Sequence, residues 1–355
     1  MINDRLYVDD IELVANLNIP WDKLKSKTIV VSGAGGLIGS FLIDVLMYKN
    51  LNNCLGCHIV ALGRNSEKAK KKFAEYWDLE QFRFVSHDIN KPLDELVIQK
   101  ADYVLHLASN THPLAYSTEP IETITTNVIG TYNMLEFSVK YGCERFLLAS
   151  SNEVYGENRG DVDLFDENYC GYINCNTLRA GYPESKRCSE ALCQAYKSQK
   201  NQDFVIARLT RSYGPTMLES DTKAISQFIK KGISGEDIVL KSEGNQFYSY
   251  IYVADAVYGL LTILLCGESG EAYNIADSKS DIKLRNLAEL TASYTGRKVV
   301  FQIPDDIEKA GYSVVIKARL NGDKLKKIGW KPMYTIETGL KKTIKILQTS
   351  NRIHE

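Results

Sequence analysis

The chain has 355 residues, 44% of them hydrophobic, and its 43 Lys and Arg nearly balance 44 Asp and Glu for a formal net charge of −1. That content suffices for one large core or two modest ones, and the charge gives no general attraction to nucleic acid or to an anionic membrane. No apolar run approaches the roughly 20 residues that span a bilayer, and residues 1–10 are too acidic and polar for a secretory signal, so a cytoplasmic protein is expected.

Residues 1–26 precede the first strand and read as an arm packed on the surface, anchored by Trp21 and Leu24. A β-branched run at 28–32 then ends in Gly33, Gly36 and Gly39, and helical periodicity over 41–48 follows at once. A strand feeding a helix through glycines lets a pyrophosphate reach the backbone N–H groups at the helix N-terminus. Strands are expected at 57–62, 82–85, 103–107, 145–149 and 204–209. Helices are expected between them at 66–76, 120–141 and 182–199. Such alternation implies parallel β-α-β units, a doubly wound α/β sheet of the Rossmann kind over residues 27–210.

Beyond Tyr213-Gly214-Pro215 the alternation loosens. Helices at 224–231, 257–265, 284–294 and 337–347 interleave with strands at 238–241, 248–253 and 272–275. This predicts a smaller mixed α/β substrate domain from 211–246 and 266–347, with 247–265 returning to the sheet. Eight cysteines follow no framework spacing. Cys54 and Cys57 form a lone C-x-x-C beside His58, without the second ligand pair a zinc site needs, so no metal is expected.

Tyr182 and Lys186 stand four apart on a helical pattern and share a face. An ammonium beside a phenol stabilises the phenolate, which makes Tyr182 a candidate general base. Ser150-Ser151-Asn152-Glu153-Val154-Tyr155-Gly156 follows directly on a predicted strand, where residues point into the ligand crevice of a parallel sheet. A Ser151 hydroxyl there can hydrogen-bond a substrate hydroxyl while Tyr182 removes its proton. Three separately placed parts thus suit hydride transfer between a sugar carbon and a nicotinamide.

As a set, these pieces resemble the extended short-chain dehydrogenase/reductase family, in its nucleotide-sugar epimerase, dehydratase and decarboxylase branch. The matching motifs are Gly33 to Gly39, His87-Asp88-Ile89, His106-Leu107-Ala108-Ser109, Thr126-Asn127-Val128-Ile129-Gly130-Thr131, Ser150 to Gly156, Tyr182-Pro183-Glu184-Ser185-Lys186-Arg187, Tyr213-Gly214-Pro215 and Gly329-Trp330-Lys331-Pro332. They occur in family order over roughly residues 28–345. The resemblance implies bound NAD or NADP, a nucleoside-diphosphate sugar substrate, and a homodimer pairing the helices at 120–141 and 182–199. By position it implies Ser151, Tyr182 and Lys186 as the catalytic triad, with Glu153 and Asn152 beside them. For the cofactor it implies Gly33, Gly36, Leu37, Ile38, Gly39, Arg64, Asp88, Ile89, Leu107, Ala108 and Asn127, together with Tyr182 and Lys186. The alternative for Asp88 is a strand-end turn residue, and Asn127 reads equally as a buried hydrogen-bonding residue of its helix.

Glu153 discriminates within the branch. Once C4 of the sugar is a ketone the C5 proton is acidic, and a carboxylate two residues past the serine can remove it. The arrangement resembles UDP-glucuronate decarboxylases and 4,6-dehydratases more than 4-epimerases. Asn152 stands where many hexose 4,6-dehydratases have an aspartic acid for the leaving hydroxyl, and an amide cannot supply that proton. Loss of CO₂ from a β-keto acid needs no such acid. Arg179 is a candidate for a sugar carboxylate or, alternatively, for a salt bridge at its helix N-terminus.

The chain departs from the pattern in three places. Gly63-Arg64 replaces the aspartate that holds ribose hydroxyls in NAD-preferring relatives, which favours or tolerates NADP. Tyr248 stands where an arginine usually grips a nucleotide phosphate, and Arg211 where asparagine is common. Arg211, with Lys223, is therefore expected to take over the diphosphate, with Ser109 and Tyr248 also lining the substrate. The alternatives to a decarboxylase or dehydratase are a 4-epimerase and a non-catalytic cofactor sensor.

Overall fold

The computed structural model describes residues 2–93, 98–111, 113–302 and 316–350. β1 (Thr28–Ser32) is buried at every position, as expected of a parallel strand covered on both faces. α2 (Leu37–Asn53) follows it, then β2 (His58–Gly63), α3 (Ser66–Lys72), β3 (Phe82–Ser86) and β4 (Tyr103–His106). Next come α4 (Pro113–Thr118), α5 (Pro120–Lys140), β5 (Arg145–Ser151), α6 (Gly181–Lys200) and β6 (Phe204–Leu209). With β10 (Ala272–Ile275) these strands make a seven-stranded sheet in the order β10-β6-β5-β4-β1-β2-β3. Every pairing in it is parallel. The chain order reverses between β1 and β4, and ligands bind outside the carboxyl ends of strands at such a switch point.

A second sheet caps that edge. β9 (Phe247–Tyr252) lies at its centre and pairs with β7 (Arg211–Tyr213), β11 (Asp281–Lys283) and β13 (Lys317–Ala318). β8 (Ile238–Leu240) and β12 (Val299–Phe301) form a separate parallel pair. Helices α7 (Ala224–Ile233), α8 (Val253–Cys266), α9 (Leu284–Thr295), α10 (Asp323–Lys327) and α11 (Ile336–Thr349) complete this part.

Four segments differ from the sequence reading. Residues 1–26 are not a surface arm, because α1 (Arg5–Ala15) buries Tyr7, Ile11, Val14 and Ala15 in the main core. The Tyr7 hydroxyl donates to buried Asp44 of α2 at 2.5 Å, and Lys342 of α11 reaches buried Asp10 at 2.6 Å. Leu24 is buried, and Trp21 is only partly so. The expected helix at 66–76 stops at Lys72 and continues as a single 3₁₀ turn, Ala74–Tyr76, where Phe73 and Tyr76 turn into the core. In the return segment, β9 belongs to the smaller sheet, while α8 packs on the larger one. The segment 266–347 gives β10 to the large sheet, beside β6. Among the described residues, no helix is long and apolar enough to cross a membrane.

Candidate active site

The turn from β1 into α2 lies at the switch point. Gly33 has φ +69°, and a Cβ on it would lie 2.7 Å from the Ala108 backbone nitrogen. A Cβ on Gly39 would lie 2.4 Å from the Gly33 carbonyl oxygen. Glycine at both positions lets the helix start, the turn and the segment after β4 close on one another. The Ser32 hydroxyl accepts from the Leu107 and Ala108 N–H groups at 3.2 and 3.3 Å, fixing the far wall. Gly36 caps α2 with no side chain on the helix end, leaving the first-turn N–H groups of Leu37, Ile38 and Gly39 without intrahelical partners. A backbone cradle that a side chain would fill, at the N-terminus of a 17-residue helix, fits a dinucleotide pyrophosphate.

Across the crevice, β5 ends at Ser151 and runs into a 3₁₀ turn, Asn152–Tyr155, in which the Ser151 hydroxyl accepts from the Glu153 N–H at 3.3 Å. Two side chains of α6 secure this end of the strand. Arg187 donates to the carbonyls of Val154 and Gly171, each at 2.7 Å. Glu190 accepts from Ser150 at 2.5 Å and from Arg208 of β6 at 2.7 and 3.0 Å.

Tyr182 and Lys186 occupy the first turns of α6, both buried. The phenol lies beside the Ser151 and Tyr116 hydroxyls, which favour its charged form, and its ring stacks on Tyr116 with centroids 4.6 Å apart. The Arg179 guanidinium lies 4.7 Å over the other ring of that stack and grips Glu153 with contacts of 2.6 and 2.7 Å. Ser151, Glu153, Tyr182 and Arg179 therefore share one cluster. The expected lowering of the phenol by Lys186 is not what this arrangement gives. Burial, reinforced by the negative Glu153, pushes Tyr182 up to about 12 despite Ser151, Arg179 and Tyr116, which pull it down. The Lys186 ammonium is turned to the Ala149 carbonyl at 2.9 Å, and burial lowers it to about 8 against the pull of Glu190. Burial and the nearby Lys186 likewise hold His106 near 3, a neutral imidazole whose Nδ1 lies 2.7 Å from the Ser32 hydroxyl.

The other expected cofactor residues have protein partners as well. Asn127 is buried, accepting from Ser109 at 2.7 Å and donating to Ser185 at 2.9 Å, so its amide ties α5 to α6 and to the segment after β4. That engages the Ser109 hydroxyl too. Asp88 caps a turn by accepting from the Asn90 N–H at 3.1 Å, while Ile89 is buried against Gly130. Arg64 is exposed at the end of β2.

On the substrate side, the Arg211 guanidinium lies 3.4 Å over the ring of Tyr248, and its Nη1 is buried with no hydrogen-bond partner. The two departures noted in sequence are thus one contact, joining β7 to β9. Lys223, at the start of α7, pairs with Asp221 at 3.0 Å and reaches Thr111 at 3.4 Å. Asn152 is buried at the start of the 3₁₀ turn after β5.

A sequence profile of the NAD dependent epimerase/dehydratase family matches residues 29–276. The chain belongs to that family. It is 32% identical over 321 residues to UDP-glucuronic acid decarboxylase 1 of Xenopus tropicalis, covering 90% of this chain and 71% of the relative. It is 31% identical over 317 residues to UDP-glucuronic acid decarboxylase 3 of Arabidopsis thaliana, covering 88% and 86%. Among solved structures, a dTDP-glucose 4,6-dehydratase from Streptomyces venezuelae with NAD bound superposes with TM-score 0.78 at 23% identity, covering 90% of this chain and 96% of that one. The UDP-glucuronic acid 4-epimerase of Bacillus cereus, in complex with UDP-glucuronic acid and NAD, gives 0.76 at 20%, covering 91% and 99%. At those identities the structures speak to the fold, a Rossmann-like sheet shared across this NAD-dependent family.

Sequence reasoning missed Tyr116, which sits in the short helix α4 before Pro120 in a stretch without usable periodicity. It also missed the Glu190–Arg208–Ser150 network, whose members look like ordinary charges on a helix and a strand. A half-buried glutamate reveals itself in sequence only if its arginine partner, farther along the chain, is already known.

Proposed function

We propose that the chain is an NAD(P)-dependent enzyme that oxidises a nucleoside-diphosphate sugar at C4 and then releases CO₂ from the keto sugar, in the manner its relatives' names describe. The observation that carries this reading is the single cluster of Ser151, Tyr182, Glu153 and Arg179. Arg179 Nε is buried without an acceptor. A guanidinium held in place by Glu153 through its Nη2, with the Nε N–H unpaired, suits a second carboxylate, that of a uronic acid.

In this reading the sugar C4 hydroxyl lies between Ser151 and Tyr182, and the phenolate takes its proton. When bound, the nicotinamide supplies a reversible acceptor for the C4 hydride. The carboxylate is then β to a ketone. As the C5–C6 bond breaks, its electron pair moves onto the C4 oxygen, where the Ser151 and Tyr182 hydroxyls donate hydrogen bonds to the developing enolate. Asn152 suits this route, since no hydroxyl leaves and no acid is needed. Arg211 Nη1, buried and unpartnered above Tyr248, is assigned to the substrate diphosphate, with Lys223 beside the same entrance. The parts of the chain beyond residue 210 that form the smaller sheet make the substrate end.

A 4-epimerase is the second reading, favoured by the engagement of Glu153 with Arg179, which leaves that carboxylate a structural role. Incubation of the purified protein with UDP-glucuronate, UDP-glucose, dTDP-glucose, GDP-mannose and CDP-glucose, followed by mass, separates them. Loss of CO₂ is expected from UDP-glucuronate. Loss of water identifies a dehydratase, and an isobaric product an epimerase. Turnover with none of them, together with retained dinucleotide, indicates a sensor. Arg211→Ala is expected to weaken nucleotide-sugar binding with unchanged dinucleotide affinity, and unchanged affinity for the sugar refutes the diphosphate assignment.

A homodimer through α5 and α6 is part of the proposal. It is supported by Ile121, Ile124, Ile129 and Tyr132, which leave large apolar groups exposed along α5.

A further inference from the structure

Tyr116 is the one ring of the catalytic cluster to which the proposed chemistry gives no work of its own. It stands in the short helix α4, which packs against α5 and against the 3₁₀ turn Leu178–Ala180 that carries Arg179. Two partners share its ring. The Tyr182 ring is stacked on it with centroids 4.6 Å apart and an interplanar angle of 26°, and the Arg179 guanidinium lies over it at 4.7 Å. Tyr116 therefore adjoins both the group that handles the C4 hydroxyl and the group assigned to the C6 carboxylate. In a hexuronic acid one carbon, C5, lies between those two positions.

Loss of CO₂ leaves an electron pair shared between C5 and the C4 oxygen, and C5 must gain a proton to restore the C4 ketone. The other members of the cluster are poorly suited to supply it. Both Glu153 oxygens accept from Arg179 Nη2, at 2.6 and 2.7 Å, and a carboxylate held in that way accepts and does not donate. The Arg179 guanidinium does not give up a proton in a protein. Ser151 and Tyr182 are committed to the C4 oxygen. Tyr116 is a neutral phenol, because burial, then Tyr182 and Glu153, hold it well above its ordinary value against the pull of Arg179. The α-carbon of an enolate is a stronger base than a phenolate, so transfer to it is downhill.

We infer that Tyr116 is a catalytic residue, the acid that delivers a proton to C5 after CO₂ has left. The inference rests on the reading that the chain decarboxylates a nucleoside-diphosphate uronic acid. The C5–C6 bond breaks and its electron pair enters the enolate. The pair then returns to C5 and takes the proton of the Tyr116 hydroxyl, leaving the C4 ketone and a Tyr116 phenolate. Tyr182, beside it, returns a proton to that phenolate, and solvent refills Tyr182. Replacing a carboxylate by hydrogen consumes one proton, RCOO⁻ + H⁺ → RH + CO₂, so no further reactant is needed. One fixed donor protonates one face, and the new C5–H bond has a single configuration.

The test runs the full-length chain on UDP-glucuronate in D₂O, where the Tyr116 hydroxyl carries deuterium before each turnover. Mass and NMR of the UDP-pentose product read the deuterium at each of its two C5 positions. Nicotinamide absorbance after mixing reads C4 oxidation by itself. The parent is expected to place one deuterium in a single C5 position. Tyr116→Phe keeps the ring and its stack, so it should bind the dinucleotide like the parent. It should oxidise C4 about tenfold more slowly and still release CO₂, but divide the deuterium between both C5 positions. Deuterium in both positions from the parent, or a variant as stereospecific as the parent, overturns the inference. So does a variant that no longer oxidises C4, since Tyr116 would then act on Tyr182 and not on C5. A parent that releases no CO₂ from UDP-glucuronate refutes the decarboxylase reading, which is a separate result.

Discussion

Gly39→Ala adds one methyl group at the closest contact in the cofactor cradle. The added Cβ would lie 2.4 Å from the Gly33 carbonyl oxygen and 3.0 Å from Ala34 Cα and the Ala34 carbonyl oxygen. All of these are backbone or Cα atoms, so no side-chain rotation relieves the clash. Ordinary contact requires the first turn of α2 to move about 1 Å away from the turn after β1. That helix is buried continuously from Gly39 to Met47, and moving it disturbs the core, an overpacking cost of about 2–3 kcal/mol. The same shift carries the Leu37 and Ile38 N–H groups away from the pyrophosphate, which should lower dinucleotide affinity about a hundredfold. Gly35→Ala is the matched control for the fold, since a Cβ there meets nothing within 4 Å and the residue does not have positive φ. It should melt within about 1 kcal/mol of the parent. Thermal unfolding with and without NAD(P)H, together with calorimetric titration, reads both quantities. A Gly39→Ala protein that melts with the parent and binds the dinucleotide normally would refute the cradle argument.

Tyr116→Phe keeps the stack on Tyr182 but removes the neighbouring hydroxyl that favours its phenolate. It should lower kcat about tenfold at neutral pH while KM and dinucleotide affinity hold, and a KM effect alone would point instead to substrate contact. Asp255 accepts from the Met333 and Tyr334 N–H groups at 2.8 and 2.9 Å, yet burial raises its carboxyl from 3.8 to about 7. The folded chain thus holds a proton that the unfolded chain releases, so this contribution is complete below pH 3.8 and is lost as pH rises towards 7. Denaturant melts of Asp255→Asn between pH 4 and 8 should show a shallower decline than the parent, and parallel curves would contradict this. Ile129→Glu, on the exposed face of α5, should yield a monomer by light scattering, and an unchanged mass would remove this face from the dimer proposal.

Signals carried by neighbouring residues were legible without coordinates. The glycine turn follows from backbone sterics at Gly33 and Gly39, and the alternation of strands and helices from hydrophobic period. The shared face of Tyr182 and Lys186 follows from a spacing of four on a helix. Ser151 and Glu153 could be placed because the end of a parallel strand is the rim of the crevice. Pairings between distant segments were decided only in three dimensions. Helix α1 is short and polar enough to pass for a tail, yet its buried face fills the core between α2 and α8. Whether a strand such as β10 closes the large sheet or joins the small one depends on which edge is free, and no local pattern records that. The electrostatics of the site depend on such contacts most of all. From sequence, Lys186 was the group expected to set the Tyr182 phenol. In the fold Lys186 turns to the Ala149 carbonyl, while burial, Glu153, Arg179 and Tyr116 govern the phenol. A pKa responds to every group within a few ångströms, and the chain order names only those that are near along one element.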